Sequence, residues 1–197
     1  MIKRILVALS GTSCTQSAIK HAVELAKEHH AELSGVTVFD TDRLKDVGAI
    51  PMGGASAAHE LAEHRMALAS ENIENSISQF EQACTDAGIT NRVLKETGDS
   101  ATTLLSAWRY HDITVIGLRG LFEYGVLHDH GHLVLDVIGA GLRPLLAVAD
   151  EYKPIRSAMV AYDGSPLAAR AMKAFCMLGI WKPMPVTVAC FEGQDGD

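Results

Sequence analysis

Hydrophobic positions along the chain follow two alternating patterns. Ile5-Leu6-Val7-Ala8-Leu9 is a continuous apolar run, the mark of a strand buried on both faces. Ser10-Gly11-Thr12 breaks the run, and Ser13 followed by Gln16 predicts a capping box at a helix start. Ile19, Ala22, Val23 and Ala26 then recur at helical spacing, and residues 33–39 predict a second strand. Strand, helix and strand in this order form a βαβ unit, which implies parallel strands and a right-handed crossover.

The pattern continues in the same alternation. Residues 40–56 form a long connection containing Pro51, Gly53 and Gly54, and long connections of this kind are often functional. A helix is predicted over 57–87, with Leu61, Leu68, Ile73, Ile77, Phe80 and Cys84 as its buried stripe and Gly88 as its stop. Residues 92–96 predict a third strand, and Gly98-Asp99-Ser100 leads into a helix with Leu104, Leu105 and Trp108 inward. A fourth strand at 113–116 runs into a glycine-rich loop that Gly117 opens. A helix near 132–138 and a fifth strand at 144–149 complete the set. The predicted class is α/β, a doubly wound five-stranded parallel sheet.

The opening then returns. Residues 151–155 read as a linker, and beyond it the first strand, turn and helix repeat at one constant offset. Val7-Ala8 pairs with Val160-Ala161, Ser10 with Asp163, Gly11 with Gly164, Thr12 with Ser165, Ala18 with Ala171, Lys20 with Lys173 and Leu25 with Leu178. Val36-Thr37-Val38 echoes later in Val186-Thr187-Val188. A gap-free match across three elements favours duplication. The expected organisation is a complete domain at 1–150 and an incomplete second copy, a partial β-α-β, at 156–197.

Composition narrows the function classes. The chain is 48% hydrophobic and 21% charged, an ordinary globular balance that can fill a core of this size. A formal net charge of −7 counts against non-specific nucleic-acid binding, which needs Lys and Arg on phosphates. The first apolar run is too short for a secretory h-region, and no apolar stretch approaches a membrane span of about 18 residues. Cys14, Cys84, Cys176 and Cys190 form no CxxC pair and read as reduced, mostly buried thiols of a cytoplasmic protein.

Candidate chemistry centres on Gly117-Leu118-Arg119-Gly120 and the later Gly131. Backbone N–H groups in such a loop, with a helix N-terminus, can cradle phosphate, although a tight turn has the same composition. Ser10-Gly11-Thr12, Thr97-Gly98-Asp99, Val115-Ile116-Gly117-Leu118-Arg119-Gly120 and Pro144-Leu145-Leu146-Ala147-Val148 together resemble the universal stress protein family, in a tandem arrangement. Val160-Ala161-Tyr162-Asp163-Gly164-Ser165 resembles the family's opening even more closely. The resemblance implies an adenine nucleotide alpha hydrolase-like fold, a homodimer paired through the last strand, and an adenine nucleotide, ATP with Mg, at the carboxyl ends of the strands.

Residue by residue, the family's nucleotide-binding branch carries Gly, two residues, Gly, nine residues, then Gly and a hydroxyl residue. Gly117 and Gly120 fit, Gly131 follows ten residues, 121 to 130, and His132 stands in the hydroxyl's place. The acidic residue at the end of the first strand, which would contact adenosine, is Ser10 here and reappears as Asp163 in the second copy. Losing a charge-assisted hydrogen bond costs about 1–3 kcal/mol, so two such losses weaken binding by about a hundredfold or more. Arg119 and His132 would assist the phosphates, and Ser10 and Val38 would border the adenosine.

Other constellations are weaker. His128, His130 and His132 alternate as metal ligands can, but no further ligand completes them, and solvated loop residues are the plainer reading. His59 and His64 are five apart, one too many for a zincin helix, so His59 with Glu63 is an ordinary i,i+4 pair. Ser10 and Ser13 lack a Gly-x-Ser-x-Gly elbow and read as turn and cap residues, and Cys14 stands at a helix N-terminus, where a thiol pKa can fall, although a buried or merely exposed thiol is the plainer reading. Phe122 and Tyr124 in the glycine loop would cover a ligand or pack on a partner. The leading expectation is regulatory adenine-nucleotide binding without a defined catalytic reaction, at most weak ATP hydrolysis. The alternatives are a non-nucleotide dimeric interaction module whose loop serves packing and, more weakly, a metal-responsive protein.

Overall fold

The computed structural model describes residues 2–50, 52–126, 132–141, 143–180 and 183–190. Lys3–Tyr152 forms one compact unit, and the residues from Lys153 onward fall in another.

In the first unit five strands form one parallel sheet: β1 (Arg4–Ala8), β2 (Glu32–Phe39), β3 (Asn91–Thr97), β4 (Ile113–Gly117) and β5 (Leu145–Val148). Their spatial order is β3-β2-β1-β4-β5. The central strands carry the apolar runs: Ile5, Leu6, Val7, Ile113, Val115 and Ile116 are all buried. Helices α1 (Thr15–His29) and α3 (Ala55–Ala87) pack together on one face, and α4 (Ser100–Trp108) meets α5 (His132–Ala140). A doubly wound α/β unit is therefore the observed architecture, as the periodicity predicts.

Three local expectations are corrected. The capping box at Ser13 and Gln16 does not form: Cys14 is the N-cap of α1 without a side-chain bond, and the Thr15 hydroxyl accepts from the Thr12 N–H at 3.1 Å. The connection after β2 holds a short helix, α2 (Thr41–Lys45), because the Asp40 carboxylate accepts from the Arg43 N–H at 3.2 Å. The stripe of α3 is right from Ile73 to Cys84, but Leu61 is exposed and Ala62 and Ala69 are buried instead. That half of α3 lies alongside the α2 segment, where the Arg65 guanidinium donates to the Asp46 carbonyl at 2.8 Å, so its inward side differs.

The second unit holds β6 (Ala158–Tyr162), α6 (Pro166–Leu178) and β7 (Val186–Cys190), with β6 and β7 parallel. Ser165 caps α6 by accepting from the Ala168 N–H at 3.1 Å. Met159, Leu167, Met177, Val186 and Val188 are exposed. No described helix is long and apolar enough to cross a membrane.

Two buried histidines give the first unit an acid limit. His111 follows α4 and donates from Nδ1 to the Ala107 carbonyl at 2.7 Å, and burial lowers its pKa. His21 packs against Tyr152 with ring centroids 4.7 Å apart and the rings tilted by 51°, and burial lowers its pKa as well. The unfolded chain thus takes up these protons first as pH falls below about 6.5, and stability declines toward the folded pKa values. Urea unfolding at pH 7.5 and 5.5 is expected to show a lower midpoint at the acid pH. His111→Gln is expected to reduce that pH difference, and an unchanged difference in the variant would exclude His111 as a cause.

Candidate functional site

The order of the strands reverses direction at β1 and β4, so the chain leaves these neighbours toward opposite faces. Ligands in open parallel sheets bind in the crevice this divergence opens at the carboxyl ends. The crevice here is framed by the turn after β1, Ser10 to Cys14, and by the loop after β4, Gly117 to Val126. The end of β2 contributes Val38.

Val38 owes its availability to the unequal strand lengths. Ala8 pairs with Val36, and the Leu9 N–H donates to the Val36 carbonyl at 2.9 Å; the chain then turns at Ser10. Backbone groups on one edge recur every second residue, so Val38 presents the next N–H and C=O with no strand beside them. Tyr124 takes both. Its hydroxyl accepts from the Val38 N–H at 3.0 Å and donates to the Val38 carbonyl at 3.2 Å.

Tyr124 is seated on every side. Its own N–H donates to the Ser10 carbonyl at 3.1 Å, and Asn72 Nδ2 donates to its carbonyl at 2.7 Å. The side chain is 1% exposed, and burial pushes the phenol well above its usual range, so it stays protonated as a donor. Gly11, at φ +63°, is required here: a Cβ would stand 2.6 Å from the ring and 2.9 Å from the Tyr124 Cα. Phe122 is buried beside it with ring centroids 6.3 Å apart.

The remaining expected residues fall at the same crevice or outside the described set. Ser10 is buried, with its hydroxyl 3.5 Å from the Ala8 carbonyl. Gly117 is a packing glycine: a Cβ there would lie 2.5 Å from the Cys14 Cβ. Gly120 has φ +72°, and the Glu123 carboxylate lies where its side chain would be. Arg119 is exposed and pairs with Asp150 at 3.4 Å. His128, His130 and Gly131 lie outside the described residues, as does the side chain of His132, which opens α5. No group of three or more metal-ligating side chains occurs among the described residues.

Cys14 is a buried thiol, the plainer of its two readings, and Cys84 is buried as well, whereas Cys176 and Cys190 are exposed. The Cys14 thiol donates to Asp150 Oδ1 at 2.8 Å, and burial and then that carboxylate push its pKa up, so it is not an activated nucleophile. The same contact, with help from a Ser13 hydrogen bond and then from Arg119, holds the Asp150 carboxyl below its ordinary range.

The Universal stress protein family profile matches residues 1–130. The chain belongs to the universal stress protein family. No curated protein is a significant match. Among solved structures, a universal stress protein family member from Burkholderia pseudomallei has 19% identity, covers 75% of this chain and 96% of that chain, and has a TM-score of 0.45. A universal stress protein in complex with cAMP has 14% identity, covers 76% of this chain and 98% of that chain, and has a TM-score of 0.48. The universal stress protein UspA from Lactobacillus plantarum has 18% identity, covers 75% and 97%, and has a TM-score of 0.47.

In this universal stress protein a polar cleft lies between the turn after β1 and α3. It holds about 300 Å³ and is lined by Gly11, Thr12, Gln16, Asn72 and Gln79 among others, and Val38 is not part of its wall. Two site residues escape the sequence reading. Asp40 joins the ends of β2 and α4: its carboxylate accepts from the Ser100 N–H at 3.1 Å and the Ser100 hydroxyl at 3.0 Å. Its helix-cap position three residues before Arg43 was the available signal. Asn72 had none beyond its place next to the buried stripe of α3.

In the second unit Asp163 is exposed, and its carboxylate accepts from the Ser165 N–H at 2.9 Å. Hydrogen bonds from Ser165, its side chain first and then its N–H, hold the Asp163 pKa below the ordinary carboxylate range. The acid closes a turn at the start of α6.

Proposed function

We propose that this universal stress protein is a regulatory adenine-nucleotide-binding module without a catalytic step of its own. The observation that carries the reading is the Val38 backbone pair, an N–H and a C=O presented together beyond the end of β1. Adenine matches such an edge, with a ring nitrogen as acceptor beside an exocyclic amine as donor; guanine presents the reverse order. Ser10 would border the ribose, and Gly117, Gly120 and Gly131, helped by Arg119 and His132, would hold the phosphates with Mg. Asp163 is the corresponding adenosine contact of the second copy. A homodimer joined through the β5 edge belongs to the same reading.

Ligand linkage tests it. At ten times Kd a ligand stabilises the folded state by about 1.4 kcal/mol, which raises Tm by roughly 2–4 °C per kcal/mol in a domain of this size. Millimolar Mg·ATP is expected to raise the Tm by a few degrees, and Mg·GTP to do so at least about tenfold less effectively by concentration. Equal response to both nucleotides, or none to either in wild type and Tyr124→Ala alike, would overturn it.

A further inference from the structure

We propose that residues 120–125 are a built-in plug of the nucleotide crevice, with Tyr124 in the purine position and the Glu123 carboxylate in a phosphate position. The inference rests on the nucleotide reading above. It adds that the site is self-occupied, so nucleotide binds only when this segment swings out.

Four observations converge. The Tyr124 hydroxyl makes with Val38 the same donor-and-acceptor pair that an adenine edge would make. All three atoms of the Glu123 carboxylate lie within contact of where a Gly120 side chain would begin, so an anion already covers the glycine proposed for phosphate. The occupied position is sealed, since Tyr124 and Phe122 are each 1% exposed. Finally, the segment holds an unfavourable backbone: Phe122 at φ 54° and Tyr124 at φ 49° are left-handed without being glycine. Surrounding contacts must enforce that conformation, and it relaxes when they are lost.

The segment is also built to move as a piece. Gly120 at φ 72° and Gly125 at φ 74° bracket it, and glycine absorbs large backbone rotations at little steric cost. Besides the Val38 pair, Tyr124 is held by its N–H on the Ser10 carbonyl and by Asn72 on its own carbonyl. Releasing the plug exposes the Val38 edge, the Ser10 carbonyl and Gly120 together. A competing internal group lowers apparent affinity by the fraction of molecules that are open, so any partner that captures the released segment would raise nucleotide affinity by the same factor.

The test compares Mg·ATP affinity, by calorimetry, of the wild-type chain with Tyr124→Ala, Tyr124→Phe and Glu123→Gln. Tyr124→Ala is expected to bind about thirtyfold or more tightly than wild type, and the two conservative variants by smaller factors in the same direction. Should Tyr124→Ala fail to fold, the Tyr124→Phe and Glu123→Gln double variant carries the comparison with the ring retained. Hydrogen exchange on the wild type supplies an independent readout: saturating Mg·ATP should speed exchange of the Tyr124 amide, as its bond to Ser10 breaks, and slow that of Val38. Measurable binding with equal affinity in all variants, or binding that leaves the Tyr124 amide protected, overturns the plug and leaves the nucleotide reading standing. Absence of binding in every variant overturns the nucleotide reading and the plug with it.

Discussion

Gly117→Ala is expected to destabilise the first unit by about 1–3 kcal/mol, the usual cost of forcing one carbon into a packed core. The new Cβ would stand 2.5 Å from the Cys14 Cβ and 3.4 Å from its sulfur. A Cβ is fixed to its backbone, so no rotamer change relieves the contact. Cys14 is fully buried, is the N-cap of α1 and is tied to Asp150, so the whole first turn of α1 must shift. Urea unfolding measures the loss as a lower midpoint at unchanged slope. Cys14→Gly in the same chain removes the opposing carbon, and the double variant should be more stable than the sum of the single losses by about 1 kcal/mol or more. Strict additivity would show that Gly117 is not constrained by Cys14, and would leave phosphate approach as the reason for a glycine there.

Asp40→Ala should cost about 2–4 kcal/mol. The carboxylate is 4% exposed and joins three donors: the Arg43 N–H of α2, the Ser100 N–H and the Ser100 hydroxyl at the start of α4. Loss of a helix cap costs about 1 kcal/mol, and a buried donor left without a partner costs about 1–3 kcal/mol more. Ser100 is 1% exposed, so water does not replace the lost acceptor. Asp40→Asn retains one acceptor oxygen and should lose about half as much. The comparison is again a denaturation midpoint, and an Asp40→Ala change within the ±0.5 kcal/mol of a surface substitution would refute the bridging role.

Both predictions concern residues whose importance is unequally visible in one dimension. Gly117 stands out as the first glycine of a loop, and that composition suggests phosphate; its contact with Cys14 arises only when β1 and β4 lie side by side. Asp40 carries a local cap signal, but the bond to Ser100 joins residues 60 apart in the chain. The α3 stripe shows the same division. Its half over Ile73 to Cys84 follows the helical period, while Leu61 yields to Ala62 because the opposing surface there is α2. Cys14 makes the point for chemistry: a thiol at a helix N-terminus is activated only if it is exposed and free of a carboxylate, and burial beside Asp150 provides the opposite environment.

Local patterning settles the class of this protein. Apolar runs of strand length and helical stripes each depend on neighbours a few residues away, so they survive in the bare chain and predict five parallel strands with helices between them. The glycine loop and Ser10 are legible for the same reason, as departures from a short motif. The seat of Tyr124 is not. It needs Val38 to protrude one rung beyond β1, Gly11 to leave a gap, and Asn72 to reach across from α3, at separations of 86 and 52 residues for the two side-chain bonds. Only the folded chain brings those groups within hydrogen-bonding distance, because strand length and loop path, and not composition, decide which backbone edge is left open and which side chain closes it.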